Sequence, residues 1–214
     1  MPEQTRAGAP LTLVAVSQRV EIQGAHRERR DALDQRWIGL LSACGITPVV
    51  VPNSARAAEA IFRRIAVQGI LLTGGNDLAV CGGDAPERDE TERVLLDYAL
   101  RTKIPILGVC RGMQVIQHYY GVSLKPVEGH VGVGHGVDID GRRIDVNSHH
   151  RFGATETPEP LVAVGTAKDG VVESIRHEKE AVRGIMWHPE RFDPFRPEDI
   201  AEIRTFFNVA GPNT

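Results

Sequence analysis

The sequence predicts an α/β fold, with a mostly parallel central sheet, helices on both faces and antiparallel strands added in the second half. Three observations carry this expectation. Up to about residue 120, short apolar runs alternate with segments whose apolar residues recur at helical spacing, the pattern of a parallel sheet covered on both sides. Beyond Gly121 that rhythm stops and short β-like pieces follow one another. With 214 residues, 42% of them apolar, the chain is long enough to bury one sizeable core.

The elements can be placed in order. Leu11 to Val16 (LTLVAV) is the first buried strand, running out into Ser17-Gln18-Arg19. Ala32, Leu33, Trp37, Leu40 and Leu41 recur at helical spacing and predict a helix over about residues 27–43, stopped by Gly45. ITPVVVP reads as a second strand with Pro48 near its start, residues 55–67 as a short helix, and GILLTGG as a third strand. Charges and glycines fill residues 76–87 ahead of a helix over about 89–101. IPILGV is the fourth strand, and residues 112–120 form the helix after it.

In the second half VGVGHGVDI, RRIDVNS, LVAVGTAKDGVVESIRH and AVRGIMWH read as strands, and Asp169-Gly170 inside the third signals a hairpin turn. Pro194 and Pro197 flank the start of a last helix over about residues 198–208. No repeat or low-complexity segment divides the chain. Residues 11–210 are therefore expected to form a single domain behind a flexible 1–10 N-terminus.

Composition excludes several classes of function. The formal net charge of -3 gives no broad footprint for nucleic acid or an anionic membrane. No apolar run approaches the roughly 20 residues needed to span a bilayer, and LTLVAV is too short for the core of a signal peptide. Cys44, Cys81 and Cys110 form neither a CxxC pair nor a disulfide framework. The expected compartment is the cytoplasm.

Chemistry concentrates in three stretches. GVCRGMQ (residues 108–114) puts Cys110 at the carboxyl end of a strand, where α/β sheets bind ligands, with a helix starting at once. Such a strand-to-helix elbow exposes a nucleophile and aims the first helical N–H groups at a developing oxyanion. A buried structural cysteine at a strand end fits the local sequence equally well. In WHPE (residues 187–190), His188 and Glu190 stand two apart and would point to one side of an extended segment. His188 could then serve as base to Cys110 while Glu190 fixes its ring. Alone, HPE reads as a surface turn. Finally, LLTGGND brings Gly74-Gly75 to the end of a neighbouring strand, where backbone N–H groups could complete an oxyanion hole or merely make a turn.

Together these stretches resemble the class I glutamine amidotransferase superfamily, and the likeness runs from SQR near residue 17 to WHPE at 190. The resemblance implies a flavodoxin-like α/β fold, with Cys110 as nucleophile, His188 as base and Glu190 as the orienting carboxylate. It also implies Gly75 and Arg111 as backbone oxyanion donors and Gln114 near the γ-glutamyl group. Within the superfamily the chain is similar to the γ-glutamyl hydrolase-like branch, through TGGND, the RDxxE pattern at residues 88–92, CRGMQ and Asn147-Ser148-His149-His150. The AVSQRV start and DALDQRWIGLL look like the bacterial γ-glutamyl-CDP-amidate hydrolases, which release cytidine diphosphoramidate and glutamate in cell-surface polysaccharide modification. The implied substrate is a small γ-glutamyl conjugate, nucleotide-linked in that narrower group, and no cofactor is implied. A glutaminase subunit passing ammonia to a synthase partner would use the same three residues. A catalytically silent binding domain on the same fold is the third alternative, and a homo-oligomer stays open.

Other residues have competing readings. His130, His135, His149 and His150 show no HxxxH spacing with an acidic partner, so no metal site is expected. His130 and His135 read as substrate-loop or solvent residues in a glycine-rich loop. By family likeness His149 and His150 belong to the site's rim, or else they pack at the sheet edge. Arg88, Asp89 and Glu92 are either site-adjacent, with Arg88 towards substrate, or parts of a helix start in which Asp89 and Glu92 form a capping box. The charge of Arg111 would lower the Cys110 pKa or, with Arg19, meet an anionic pyrophosphate. Neither a Walker loop nor a GxGxxG helix opening occurs.

Overall fold

Side chains along a β-strand alternate between faces, and in this chain that alternation sorts the apolar runs into two cores. A computed structural model describes residues 11–209; the expectation made for residues 1–10 lies outside them. Its first half runs β1 (Thr12–Val16), β2 (Arg19–Gln23), β3 (Glu28–Ala32), α1 (Gln35–Ala43), β4 (Ile46–Val50), α2 (Ala55–Phe62), β5 (Gly69–Leu72), α3 (Pro86–Thr102), β6 (Ile106–Val109) and α4 (Arg111–Tyr119). Then come β7 (Lys125–Pro126), β8 (Val131–Ile139), β9 (Arg142–His149), β10 (Phe152–Gly153), β11 (Leu161–Ala167), β12 (Val172–His177), β13 (Val182–Ile185) and α5 (Pro197–Phe206).

One sheet of nine strands, in the order β4-β1-β5-β6-β13-β12-β11-β8-β9, forms the frame. From β4 to β13 neighbours are parallel, and from β12 onwards every pair is antiparallel. Ala15, Ile70, Leu72 and Ile106 face α2, α3 and α4 through Ala58, Leu95, Leu96 and Met113. Val14, Val16, Leu71, Leu107 and Val109 face α1 and α5 through Trp37, Leu40, Leu41 and Phe207. Among the described residues, no helix is long and apolar enough to cross a membrane.

Three boundaries differ from the sequence expectation. The helix expected over 27–43 begins only at Gln35, where the Asp34 side chain caps it by accepting from Arg36 N at 3.0 Å. Ahead of it β2 and β3 pair as an antiparallel ribbon turned through Gly24 and Arg27, both at positive φ. The ribbon packs little apolar surface: RVEIQ alternates over only five residues and ERRDA does not alternate, so the pattern is too short to read. The second helix stops at Phe62 rather than at residue 67. The third starts at Pro86, with its N-cap at Ala85, so Asp89 and Glu92 lie too far in to be a capping box.

The last parallel helix sits very close to the sheet. A Cβ added to Gly112 would lie 2.2 Å from Leu72 O, and one added to Gly108 would lie 2.4 Å from Gly112 C. Both obstacles are backbone and cannot swing away. Gly112→Ala should therefore lower unfolding stability in urea by about 1–3 kcal/mol, the usual range for overpacking. Gly134→Ala on exposed β8, where the nearest atom would be 3.4 Å away, should move the midpoint little. Equal midpoints for the two variants would refute this close approach.

Candidate active site

β6 ends at Val109, and the next residue turns sharply: Cys110 has φ 52° and ψ −107°. An L-residue rarely adopts that conformation, which costs on the order of 1–3 kcal/mol unless its surroundings impose it. Here they do. Cys110 N donates to Ile185 O at 2.7 Å, and Cys110 O accepts from Gln114 N at 3.1 Å as α4 begins. The first N–H groups of α4 have no acceptor within their own helix, so they face outward beside the thiol.

β13 runs parallel to β6, pairing Ile185 with Val109, so the segment after it arrives beside Cys110. There His188 is 2% exposed, and its Nδ1 lies 2.6 Å from Glu190 Oε1. A short 3-10 turn over Pro189–Arg191 swings the carboxylate back to the ring, where the sequence had suggested an extended segment. Burial opposes charge on His188, but hydrogen bonds and Coulombic attraction from Cys110 and Glu190 outweigh it and lift its pKa to about 9. Asn147 grips the His188 backbone on both sides, accepting from His188 N at 2.8 Å and donating to His188 O at 2.9 Å. The Gly74-Gly75 loop closes against this pair. A Cβ on Gly74 would lie 2.6 Å from His188 Cε1 and 3.5 Å from Cys110 Cβ.

Under that loop lies a buried set of charges. Arg88 is fully buried, donating to Thr73 O at 2.7 Å, Gly74 O at 3.0 Å and Glu92 Oε1 at 2.9 Å, and also to Gly75 O. Glu92 takes Arg111 on its other oxygen, and Arg111 also pairs with Asp89. Burial would raise the Glu92 carboxyl, but the Arg111 and Arg88 charges hold it below its ordinary value. Burial and the charge of Arg111 lower Arg88 to about 10, so it stays charged at neutral pH.

This packing reassigns several residues. Arg88 is spent on the glycine loop and has no face for substrate, while the Arg111 guanidinium turns away from Cys110 into the carboxylates. Ser148 is buried and donates to His130 O, and Gln114, only 3% exposed, donates to Phe152 O. Arg19 does reach the site: with Asp34, Trp37, Gly75, His188 and Arg191 it lines a cleft beside the loop, although it also pairs with Glu21. His149 is exposed, with its ring centroid 5.8 Å from that of His188. His130 and His150 are each 3% exposed and lie apart from the cleft, which overturns a solvent or substrate-loop place for His130. Phe207 is buried against Gly69.

Two residues that shape the site had no role of their own in the sequence reading. Asn76, at positive φ, clasps Val20 by both backbone groups and receives Arg88. Arg191 enters the cleft only because the 3-10 turn puts it there.

Comparison with known proteins identifies the family. Residues 31–208 match the family model of glutamine amidotransferase class-I. A γ-glutamyl-CDP-amidate hydrolase of Campylobacter jejuni is 32% identical over 183 residues, 83% of this chain and 90% of that protein. A glutamine-hydrolysing GMP synthase subunit of Methanocaldococcus jannaschii is 27% identical over 159 residues, 70% of this chain and 78% of its own. In fold, a Thermoplasma acidophilum structure described as a GMP synthase subunit superposes with a TM-score of 0.69 at 18% identity, covering 94% of this chain and 95% of that one. The chain belongs to the class I glutamine amidotransferase family.

Proposed function

We propose that this chain, acting as one catalytic domain, is a stand-alone cysteine hydrolase of γ-glutamyl amides. Cys110 is the nucleophile, His188 the acid and base, Glu190 the group that orients it, and the N–H groups of Gly75 and Arg111 the oxyanion donors. The observation that carries the reading is the meeting of Cys110, His188 and the Gly74-Gly75 loop at the ends of adjacent strands. Thiolate attack on the γ-carbonyl forms a C–S bond, and the oxyanion is held by the two N–H groups. His188 gives its proton to the departing nitrogen as the C–N bond breaks and a thioester remains. The neutral ring then takes a proton from water, which attacks the thioester. Glutamate leaves and the thiolate–imidazolium pair is restored.

For the leaving group we propose a nucleotide-linked amidate, with γ-glutamyl-CDP-amidate as substrate and cytidine diphosphoramidate as the second product. Similarity to the Campylobacter jejuni hydrolase across most of both chains supports this. So does the cleft, where Arg19 and Arg191 are the cations within reach of a pyrophosphate. This chemistry belongs to capsule or other surface-polysaccharide modification, in the cytoplasm. The synthase subunits among the relatives favour one rival, a glutaminase that delivers ammonia to a partner.

Glutamate release by the isolated protein separates these readings. With glutamine, γ-glutamyl-γ-aminobutyrate and γ-glutamyl-CDP-amidate offered in turn, the CDP-amidate should turn over rapidly and glutamine little. Cys110→Ala should lose activity on the order of 10⁴-fold or more, as removal of a covalent nucleophile does. Silence on both conjugates, with glutamine turnover appearing only on adding a synthase, would overturn the hydrolase.

The pairing of Cys110 with His188 has its own signature. The folded pKa of His188 lies above the ordinary 6.5, so the charged ring's contribution to stability is complete below pH 6.5 and is lost as pH rises through about 9. Ring resonances followed by NMR should titrate near 9 in the wild type. In Cys110→Ala, which removes two of the four influences that raise the value, the midpoint should fall. An unchanged midpoint would mean that the thiol and the ring are not coupled.

A further inference from the structure

Beyond the cleft, on the antiparallel half of the sheet, three imidazoles surround one carboxylate oxygen. Oε1 of Glu173, a fully buried residue on β12, lies 3.1 Å from His130 Nδ1, 3.4 Å from His135 Nε2 and 3.2 Å from His150 Nε2. His130 and His135 stack edge to face with ring centroids 4.7 Å apart. The ligating atoms of His130, His135 and Glu173 all lie within 4.8 Å of one another.

The outer nitrogens decide what the inner ones can be. His130 Nε2 is 2.9 Å from Asp169 Oδ2, and His150 Nδ1 is 3.0 Å from Phe152 O, both acceptors. Each outer nitrogen therefore carries the proton, and in the neutral ring each inner nitrogen presents a lone pair to a carboxylate oxygen. Lone pairs facing a buried anion repel unless a cation lies between them. His130 Nδ1, His135 Nε2 and Glu173 Oε2 also have no hydrogen-bond partner, although His130 and Glu173 are nearly or fully buried. An unpartnered buried polar group is costly, and a ligand here would remove that cost.

We propose that His130 Nδ1, His135 Nε2 and Glu173 Oε1 form a binding site for a divalent transition metal, with zinc the best match, flanked by His150. The separations fit. Bonds of about 2.0–2.1 Å in a tetrahedral zinc site put ligand atoms about 3.4 Å apart, near the 3.1 and 3.4 Å from Glu173 Oε1. The contact of the outer nitrogen also fits: a ligating histidine usually donates its other N–H to a carboxylate or carbonyl, as His130 does to Asp169. Imidazole and carboxylate ligands suit zinc better than calcium or magnesium, which prefer oxygen alone.

The metal ties the loop before β8 and the β8 strand to β12, and His150, just past the end of β9, packs against the same carboxylate. Asn147 and His149 stand on that same β9 end, so the site braces the wall that holds His188 without touching substrate.

The experiment is metal analysis of the untagged full-length protein, with chelation and reconstitution by zinc. The expected result is about one zinc per chain, removed by chelator and restored at one equivalent. Cobalt in place of zinc should give the visible absorption of a tetrahedral nitrogen–oxygen site. Glu173→Gln and His135→Ala should abolish uptake, the latter at a half-buried ligand whose loss leaves the fold intact by circular dichroism. Metal well below one equivalent as purified, together with no stoichiometric uptake by the stripped wild type, would overturn the site and leave protons on His130 and His150 as the neutralising charges. Uptake by His135→Ala as tight as the wild type's would equally overturn it. Neither readout depends on catalysis, so the hydrolase reading can fail while this one stands.

Discussion

At the carboxyl end of β6 the backbone of Cys110 takes a conformation that it would not choose alone, with φ 52° and ψ −107°. The surrounding structure leaves no other path. The chain must leave the sheet at once, because α4 sits so close that Gly108 and Gly112 leave no room for a Cβ. The Arg111 side chain, immediately after the turn, is locked by Glu92 and Asp89. A relaxed elbow would carry the first N–H groups of α4 and the thiol away from each other. Strain imposed by packing is thus what brings the Cys110 thiol and the first N–H groups of α4 to one point.

The buried ions belong to the same arrangement. Two guanidiniums share Glu92, and one of them, Arg88, extends to three successive carbonyls of the glycine loop. Buried ion pairs add little net stability over apolar packing, yet breaking one costs about 3–5 kcal/mol. Such a network suits positioning better than stabilisation: it links the base of α4 to Thr73, Gly74 and Gly75, so that the glycine loop and the start of α4 share one anchor. Asn147 does similar work from the antiparallel side by gripping the backbone of His188.

Sequence patterns made the frame of this fold legible and left its ionic interior hidden. Strands such as LTLVAV and GILL announce themselves because burial on both faces demands continuous apolar runs. The β2–β3 ribbon does not, since RVEIQ alternates over only five residues and ERRDA has no apolar face at all. Cys110 could be singled out by its place at a strand end and His188 and Glu190 by their two-residue spacing, although a 3-10 turn rather than an extended segment brings the last two together. The destinations of Arg88 and Arg111 could not: in sequence a charged residue beside a nucleophile reads as a substrate contact, and only packing reveals that Glu92 consumes both. The histidines around Glu173 escaped for a related reason, because β8, β9 and β12 bring them together from separate stretches instead of one helix turn.

The proposed chemistry requires Cys110, alone of the three cysteines, to react as the nucleophile. Burial pushes the Cys44 thiol up to about 11 and raises that of Cys81 as well, so neither should compete. Treatment with a diazoketone analogue of glutamine, followed by intact-mass and peptide analysis, tests this directly. A single adduct on Cys110 is the expected result, slowed by Glu190→Gln and absent from Cys44 and Cys81. Labelling at Cys81, or an unmodified protein under conditions that alkylate free thiols, would contradict it.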